Sequence, residues 1–319
     1  MKTLFYAAAL SAGMAASPLA AQMIAVGTAS PGTLFHSSAS AVTKVINEEA
    51  GIRATLQPFA SANVYIPAVS EGDIDLGVGT VHEVNVAIQG TEHFSDRPQP
   101  GLRAVGVMFP LRFAIFVRED SDIESLADLA GRSLPGSYSS QQIAVTMMDA
   151  IYAASDLSKD DVDLVPVANT VAGANDFATG KVDAFFFAVG AAKVSEVDAA
   201  VGGVRALPFE ASDENLAAMR EHLPQGYFLE VAPGGNNVGI MEPTQIMAFD
   251  AITFASAETS EDTIYEVTKG LHENKDALAA AFPAFRAFAP DAMYKDLAPV
   301  EYHPGAVRYF EEIGLSIAN

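Results

Sequence analysis

Hydrophobic positions along this chain switch repeatedly between a period of two and a period near 3.6. Met23, Ile24, Ala25 and Val26 form an apolar run of strand length, and Ser38, Ala41, Val42, Val45 and Ile46 then recur at helical spacing up to Gly51. Ile52, Ala54 and Leu56 alternate as a strand, a short helix is predicted from Val64 to Val69, and Ile74, Leu76 and Val78 alternate again after Gly72. This βαβαβ order predicts a parallel sheet. The same order returns downstream. A short strand from Arg132 to Leu134, a polar loop through Gln141, a helix to about Ser155 and a strand from Val162 to Val167 are followed by a helix from Ala172 to Thr179 and the strand-like Ala184-Phe185-Phe186-Phe187. Gly72-Asp73-Ile74-Asp75-Leu76 and Gly180-Lys181-Val182-Asp183-Ala184 share a turn glycine, a β-branched residue and an aspartate before an apolar strand. Two similar α/β lobes are therefore expected.

Composition narrows what such lobes do. An early Lys2, an apolar run from Leu4 to Ala16 and a small-residue end at Ala20-Ala21 predict a removable secretory signal over residues 1–21, which places the mature protein in the periplasm. The apolar run is too short to span about 30 Å of hydrocarbon. With no cysteine, disulfides, thiolate metal sites and cysteine nucleophiles are excluded together. A formal net charge of −22 repels phosphate backbones and anionic lipid surfaces, so nucleic acid is not an expected partner.

Each predicted lobe sets a polar loop where a helix begins. The first N–H groups of a helix lack internal partners and sit at the positive end of its dipole, so a carboxylate, sulfonate or phosphate binds there without a basic side chain. The first loop is Gly27-Thr28-Ala29-Ser30-Pro31-Gly32-Thr33, the second runs from Ser137 to Gln141, and Ser61-Ala62-Asn63 opens a further helix. Ordinary N-capping explains any one of them; three in mirrored lobes point to a cleft. Gly27 and Gly32 have phosphate-loop spacing, but Thr33 stands where the lysine belongs. Neither a His-Glu-x-x-His nor a Gly-x-Ser-x-Gly motif occurs, and the six histidines are scattered without metal-ligand spacing. The residues predict no catalysis, no metal and no cofactor.

The chain resembles the TAXI class of solute-binding proteins, the extracytoplasmic receptors of tripartite ATP-independent periplasmic (TRAP) transporters. The resemblance runs through Gly27-Thr28 with Gly32-Thr33 and Phe35, Lys44-Val45-Ile46-Asn47-Glu48-Glu49, and Gly72-Asp73-Ile74-Asp75-Leu76-Gly77. It continues through Val117-Arg118-Glu119-Asp120-Ser121, Ser125-Leu126-Ala127-Asp128-Leu129-Ala130-Gly131, Asp183-Ala184-Phe185-Phe186 with Gly190, Tyr265-Glu266-Val267-Thr268-Lys269 with Glu273-Asn274, and His303-Pro304-Gly305-Ala306 with Tyr309-Phe310. It implies a type II periplasmic binding protein fold, α/β, with two lobes and a ligand cleft at the hinge. Lobe I would comprise 22–112 and 247–319, and lobe II 113–246, with crossings near Pro110 to Phe116 and Val238 to Ala248. A monomeric receptor that closes on a small organic anion (a dicarboxylate, 2-oxo acid or acidic amino acid such as glutamate) and delivers it to TRAP membrane permease subunits is the implied function. A sensory receptor of the same fold is the alternative, and an enzyme on that fold a third class. Expected ligand contacts are Thr28, Ser30, Thr33, Ser61 and Asn63 from lobe I and Ser139, Ser140 and Gln141 from lobe II, walled by Phe35, Tyr138 and Phe187. Where TAXI receptors often carry a glutamate and a proline after Pro110, this chain has Leu111-Arg112; Arg112 is a candidate carboxylate clamp at the hinge or a surface residue.

Overall fold

The computed structural model describes residues 23–317 except 32 and 61, so the expected signal over 1–21 lies outside the described residues. Among the described residues, ten α-helices and ten strands follow one another along the chain. The first half runs β1 (Met23–Thr28), α1 (Leu34–Glu49), β2 (Arg53–Pro58), α2 (Ala62–Ser70), β3 (Leu76–Thr80) and α3 (Val81–Gln89), and passes into the long β4 (Leu102–Arg118). The second half holds β5 (Ser133–Gly136), α4 (Ile143–Ala153), β6 (Asp163–Pro166), α5 (Thr170–Ala178), β7 (Ala184–Ala188), α6 (Ala192–Val201), β8 (Val204–Ala206), α7 (Asp213–His222) and β9 (Tyr227–Val231). The chain returns through β10 (Thr244–Ser256) to α8 (Glu261–Glu273), α9 (Lys275–Ala281) and α10 (Pro304–Glu312).

An eight-stranded sheet orders its path as β2-β1-β3-β10-β4-β7, with β8 beside β4 and β9 beside β10, while β5 and β6 form a separate parallel pair. Pairing of β1 with β2 and with β3 is parallel, as the βαβαβ pattern requires, and the central β4–β10 pair is antiparallel. Those two strands are the physical connection between the halves: β10 pairs with β3 at its C-terminal end and with β9 at its N-terminal end, and β4 pairs with β7 and β8 at its own C-terminal end. Strands of this length stay continuous because their residues are buried almost throughout.

The repeated aspartates have a common structural role. Asp75 accepts a hydrogen bond from the Ala25 N–H at 2.8 Å, and Asp183 accepts one from the Ser133 N–H at 2.8 Å and another from its hydroxyl at 2.7 Å. Each carboxylate thus fastens the opening strand of its half. Gly72 and Gly180, which start the two repeats, adopt φ of 81° and 75°, left-handed backbone that glycine enters without a Cβ penalty.

The predicted elements differ from the observed ones chiefly at their edges. Ile74 is buried but precedes β3, and β5 extends to Gly136 rather than ending at Leu134. The return strand begins at Thr244, within the 238–248 stretch expected for the crossing; upstream of it Gly234, Gly235 and Gly239 all take positive φ and Pro243 follows, so the chain turns before it extends.

Candidate cleft at the strand crossing

Between the halves lies a cavity of about 210 Å³, below the roughly 300–1,000 Å³ of drug-sized pockets and suited to a compact metabolite. Its floor is made by the two crossing strands. Leu111 and Phe113 of β4 share a face by strand alternation, and Phe249 of β10 pairs opposite Leu111 in the ladder. The Phe113 ring stacks on Phe249 at 5.6 Å and on Phe186 of β7 at 5.2 Å, so one ring joins strands from both sides. Such packing fixes the aromatic floor in one geometry.

Helix starts form the rim. Leu34 and Phe35 open α1, Thr80 and Glu83 open α3, Gln141, Ile143 and Met147 surround the start of α4, and Thr170 opens α5. Phe187 and Ala188, at the end of β7, complete the lining. Thr33 caps α1 by accepting from the His36 N–H, and Asn169 caps α5 by accepting from Ala172. Gln141 reaches across to α5: its Oε1 accepts from the Thr170 N–H at 3.0 Å and from the Thr170 hydroxyl at 3.2 Å. At α3 the Thr80 hydroxyl accepts from the Glu83 N–H at 2.9 Å and donates to Glu83 Oε2 at 3.0 Å. Burial pushes the Glu83 carboxyl above its ordinary pKa, against the lowering effect of that hydrogen bond and of His82. Among the described residues, no lysine, arginine or histidine lines the cavity.

The profile of the NMT1-like family matches residues 26–314. The chain belongs to the NMT1-like family. Solved structures place this NMT1-like chain in the type II periplasmic binding protein fold. One is the periplasmic sulfonate-binding protein SsuA from Methylobacillus flagellatus, with a TM-score of 0.56 at 15% identity over 93% of this chain and 98% of the other. MatC from Rhodopseudomonas palustris, with bound malate, matches with a TM-score of 0.52 at 14% identity over 93% and 97%. A TctC solute-binding protein from Polaromonas matches with a TM-score of 0.58 at 10% identity over 85% and 91%. At such identities the likeness is one of fold.

Of the residues singled out from the sequence, the NMT1-like cavity brings together Phe35, Gln141 and Phe187. Ser61 lies outside the described residues. Thr28 is fully buried at the end of β1, Ser30 donates to the Phe59 carbonyl at 3.1 Å, Thr33 is spent on its cap, and Asn63 is exposed at the start of α2. Tyr138 is core: 1% exposed, its phenol pushed up by burial, with backbone φ of 34° following 64° at Ser137. Ser139 and Ser140 are tied through their N–H groups to the carbonyls of Val167 and Ala168, and the Ser140 hydroxyl also donates to Ala168. Arg112 alternates to the opposite face of β4 from Leu111 and Phe113, and its guanidinium lies near Gly190 and the loop at Asn236 and Asn237. It does not reach the cavity lining, and burial lowers its pKa.

Thr80, Glu83, Phe113, Thr170 and Phe249 line the cavity without having been singled out. One signal for two of them was present: Thr80-Val81-His82-Glu83 has the Thr-x-x-Glu spacing of a capping box directly behind an alternating strand.

Proposed function

We propose that this chain is a non-enzymatic extracytoplasmic receptor that captures a small carboxylate-bearing solute by closure of two lobes and delivers it to a secondary transporter of the TRAP type. The observation that carries this reading is the position of the cavity, at the β4–β10 crossing with lining from both halves. A solute there gains its full set of contacts only when the halves are together, so ligand free energy favours the closed form. The starts of α1, α4 and α5 offer partial positive charge to a carboxylate. Lobe I is taken as 22–112 with 247–319 and lobe II as 113–246, the export signal being removed. Coupling to TRAP permease subunits rests on the resemblance to TAXI receptors. A dicarboxylate is disfavoured, because no basic side chain lines the cavity and Arg112 faces elsewhere.

The test is a thermal-shift screen of the protein without its signal, followed by mass spectrometry of the recovered solute. A ligand at about a hundred times its dissociation constant stabilises the native state by roughly 2.7 kcal/mol. Selective stabilisation by one class of carboxylate, recovered chemically unchanged, is the expected outcome. Turnover of the solute refutes the receptor assignment.

A further inference from the structure

Among the described residues, Glu83 is the one ionisable side chain in the cavity lining. Thr80 donates to its Oε2, and Oε1 has no protein hydrogen-bond partner among the described residues. His82 pulls the Glu83 pKa down and Glu92 pushes it up, and His82 Nε2 is engaged with Glu92 Oε1 at 3.1 Å rather than with Glu83. A carboxylate held among apolar groups with no cation hydrogen-bonded to it is costly to ionise, and burial, the largest effect, raises its pKa. A ligand cation would relieve that cost. Phe35, Phe113, Phe187 and Phe249 surround the same space, and the faces of such rings attract positive charge while their area receives an apolar body. Glu83 itself opposes a second negative charge beside it, and only the helix starts favour one elsewhere in the cavity.

Resting on the receptor reading above, we infer that the solute bears a protonated amine, which sits on the Glu83 carboxylate, and a short apolar body packed against the four phenylalanine rings. Glu83 then sets specificity: it admits ammonium-bearing solutes and repels compounds whose only charge is a carboxylate at that end.

Four probes separate the parts of this assignment. Leucine carries both charges on an apolar body, 3-methylbutylamine keeps only the amine, 4-methylpentanoate keeps only the carboxylate, and succinate carries two carboxylates. Titration calorimetry with the wild type and with Glu83→Gln reads the affinities. Glutamine retains an acceptor for Thr80 and is accepted at this position of a helix start, so the variant keeps its cap; Glu83→Asp, which keeps the charge, is the second variant. Leucine and 3-methylbutylamine are expected to bind the wild type at least tenfold tighter than 4-methylpentanoate and succinate. Glu83→Gln is expected to weaken both amines at least tenfold, and Glu83→Asp to recover part of that loss. Tighter binding of 4-methylpentanoate or succinate, or amine affinities within twofold in Glu83→Gln, overturns the inference and leaves the receptor reading standing. Amine binding that is indifferent to the leucine carboxylate supports the inference and removes the carboxylate from the receptor reading. Binding of none of the four overturns the inference, and the receptor reading is then decided by the recovered solute and its turnover.

Discussion

His303 fixes the C-terminal helix through both ring nitrogens. Nδ1 accepts from the Gly305 N–H at 3.1 Å, which caps α10, and Nε2 donates to the Thr259 carbonyl at 3.0 Å. That arrangement needs the neutral imidazole, since a protonated ring has no acceptor left for Gly305. Burial lowers the His303 pKa from its ordinary 6.5, although the Thr259 bond and Glu261 pull the other way. With the folded-state value depressed, the unfolded chain binds the proton first as pH falls, so His303 costs stability from about pH 6.5 downward until its folded-state pKa is passed. Urea midpoints at pH 7.5 and 5.5 are expected to differ less for His303→Asn than for the wild type; equal differences would exclude His303 as a source of acid sensitivity. Asp250 poses a second residue-scale question. It is 3% exposed in β10, accepts from the Tyr227 hydroxyl at 2.6 Å and pairs with Lys295 Nζ at 2.6 Å, and the lysine lies 3.9 Å over the Tyr227 ring. Lys295→Met leaves that carboxylate buried without its cation, and a loss of about 3 kcal/mol by chemical denaturation is expected, the low end for a buried pair because the lysine is partly exposed. An unshifted midpoint would mean that the cation contributes nothing net.

Helices and strands were largely legible because each had to bury one face. The period of Ala41, Val42, Val45 and Ile46 is the buried stripe of α1, and all four are at most 2% exposed. The aspartate repeat was visible as a pattern, and its cause, a carboxylate tying down the first strand of each half, needed the coordinates. Site residues were harder to read for two physical reasons. Polar helix starts advertise themselves, yet the hydroxyls of Thr33 and Ser140 bond within the loops, so a loop rich in hydroxyl groups is not the same as a set of free donors. Phe113 and Phe249 gave no signal because alternation says which residues share a face, not which face turns to a cleft. That depends on the β4–β10 register, set by residues far apart in sequence. Arg112 shows the same ambiguity from the other side, one position away from the floor of the cavity.

A hydrogen bond links the two halves directly. Glu92, at φ of 47° in a turn of 3-10 helix after α3, accepts from the Thr146 hydroxyl of α4 at 3.3 Å while its other oxygen meets His82. Engagement with His82 and the neighbouring His93 holds the Glu92 carboxyl below its usual pKa despite partial burial. Since Thr146 and Glu92 belong to different halves, Thr146→Val is expected to weaken solute binding by about two- to tenfold, the equivalent of a hydrogen bond worth roughly 0.5–1.5 kcal/mol, without lowering thermal stability by more than about that amount. Unchanged affinity would show that the contact does not favour the closed form. The antiparallel β4–β10 pair also has a meaning for how the chain reaches its structure. Phe113 lies opposite Met247, so the middle of the main sheet closes a loop of about 130 residues, and the entire second half is threaded between its two strands. Contacts so distant in sequence are slow to form. The β2-β1-β3 portion can pair early, but β3 keeps an unpaired edge until β10, encoded in the last quarter of the chain, is available to cover it.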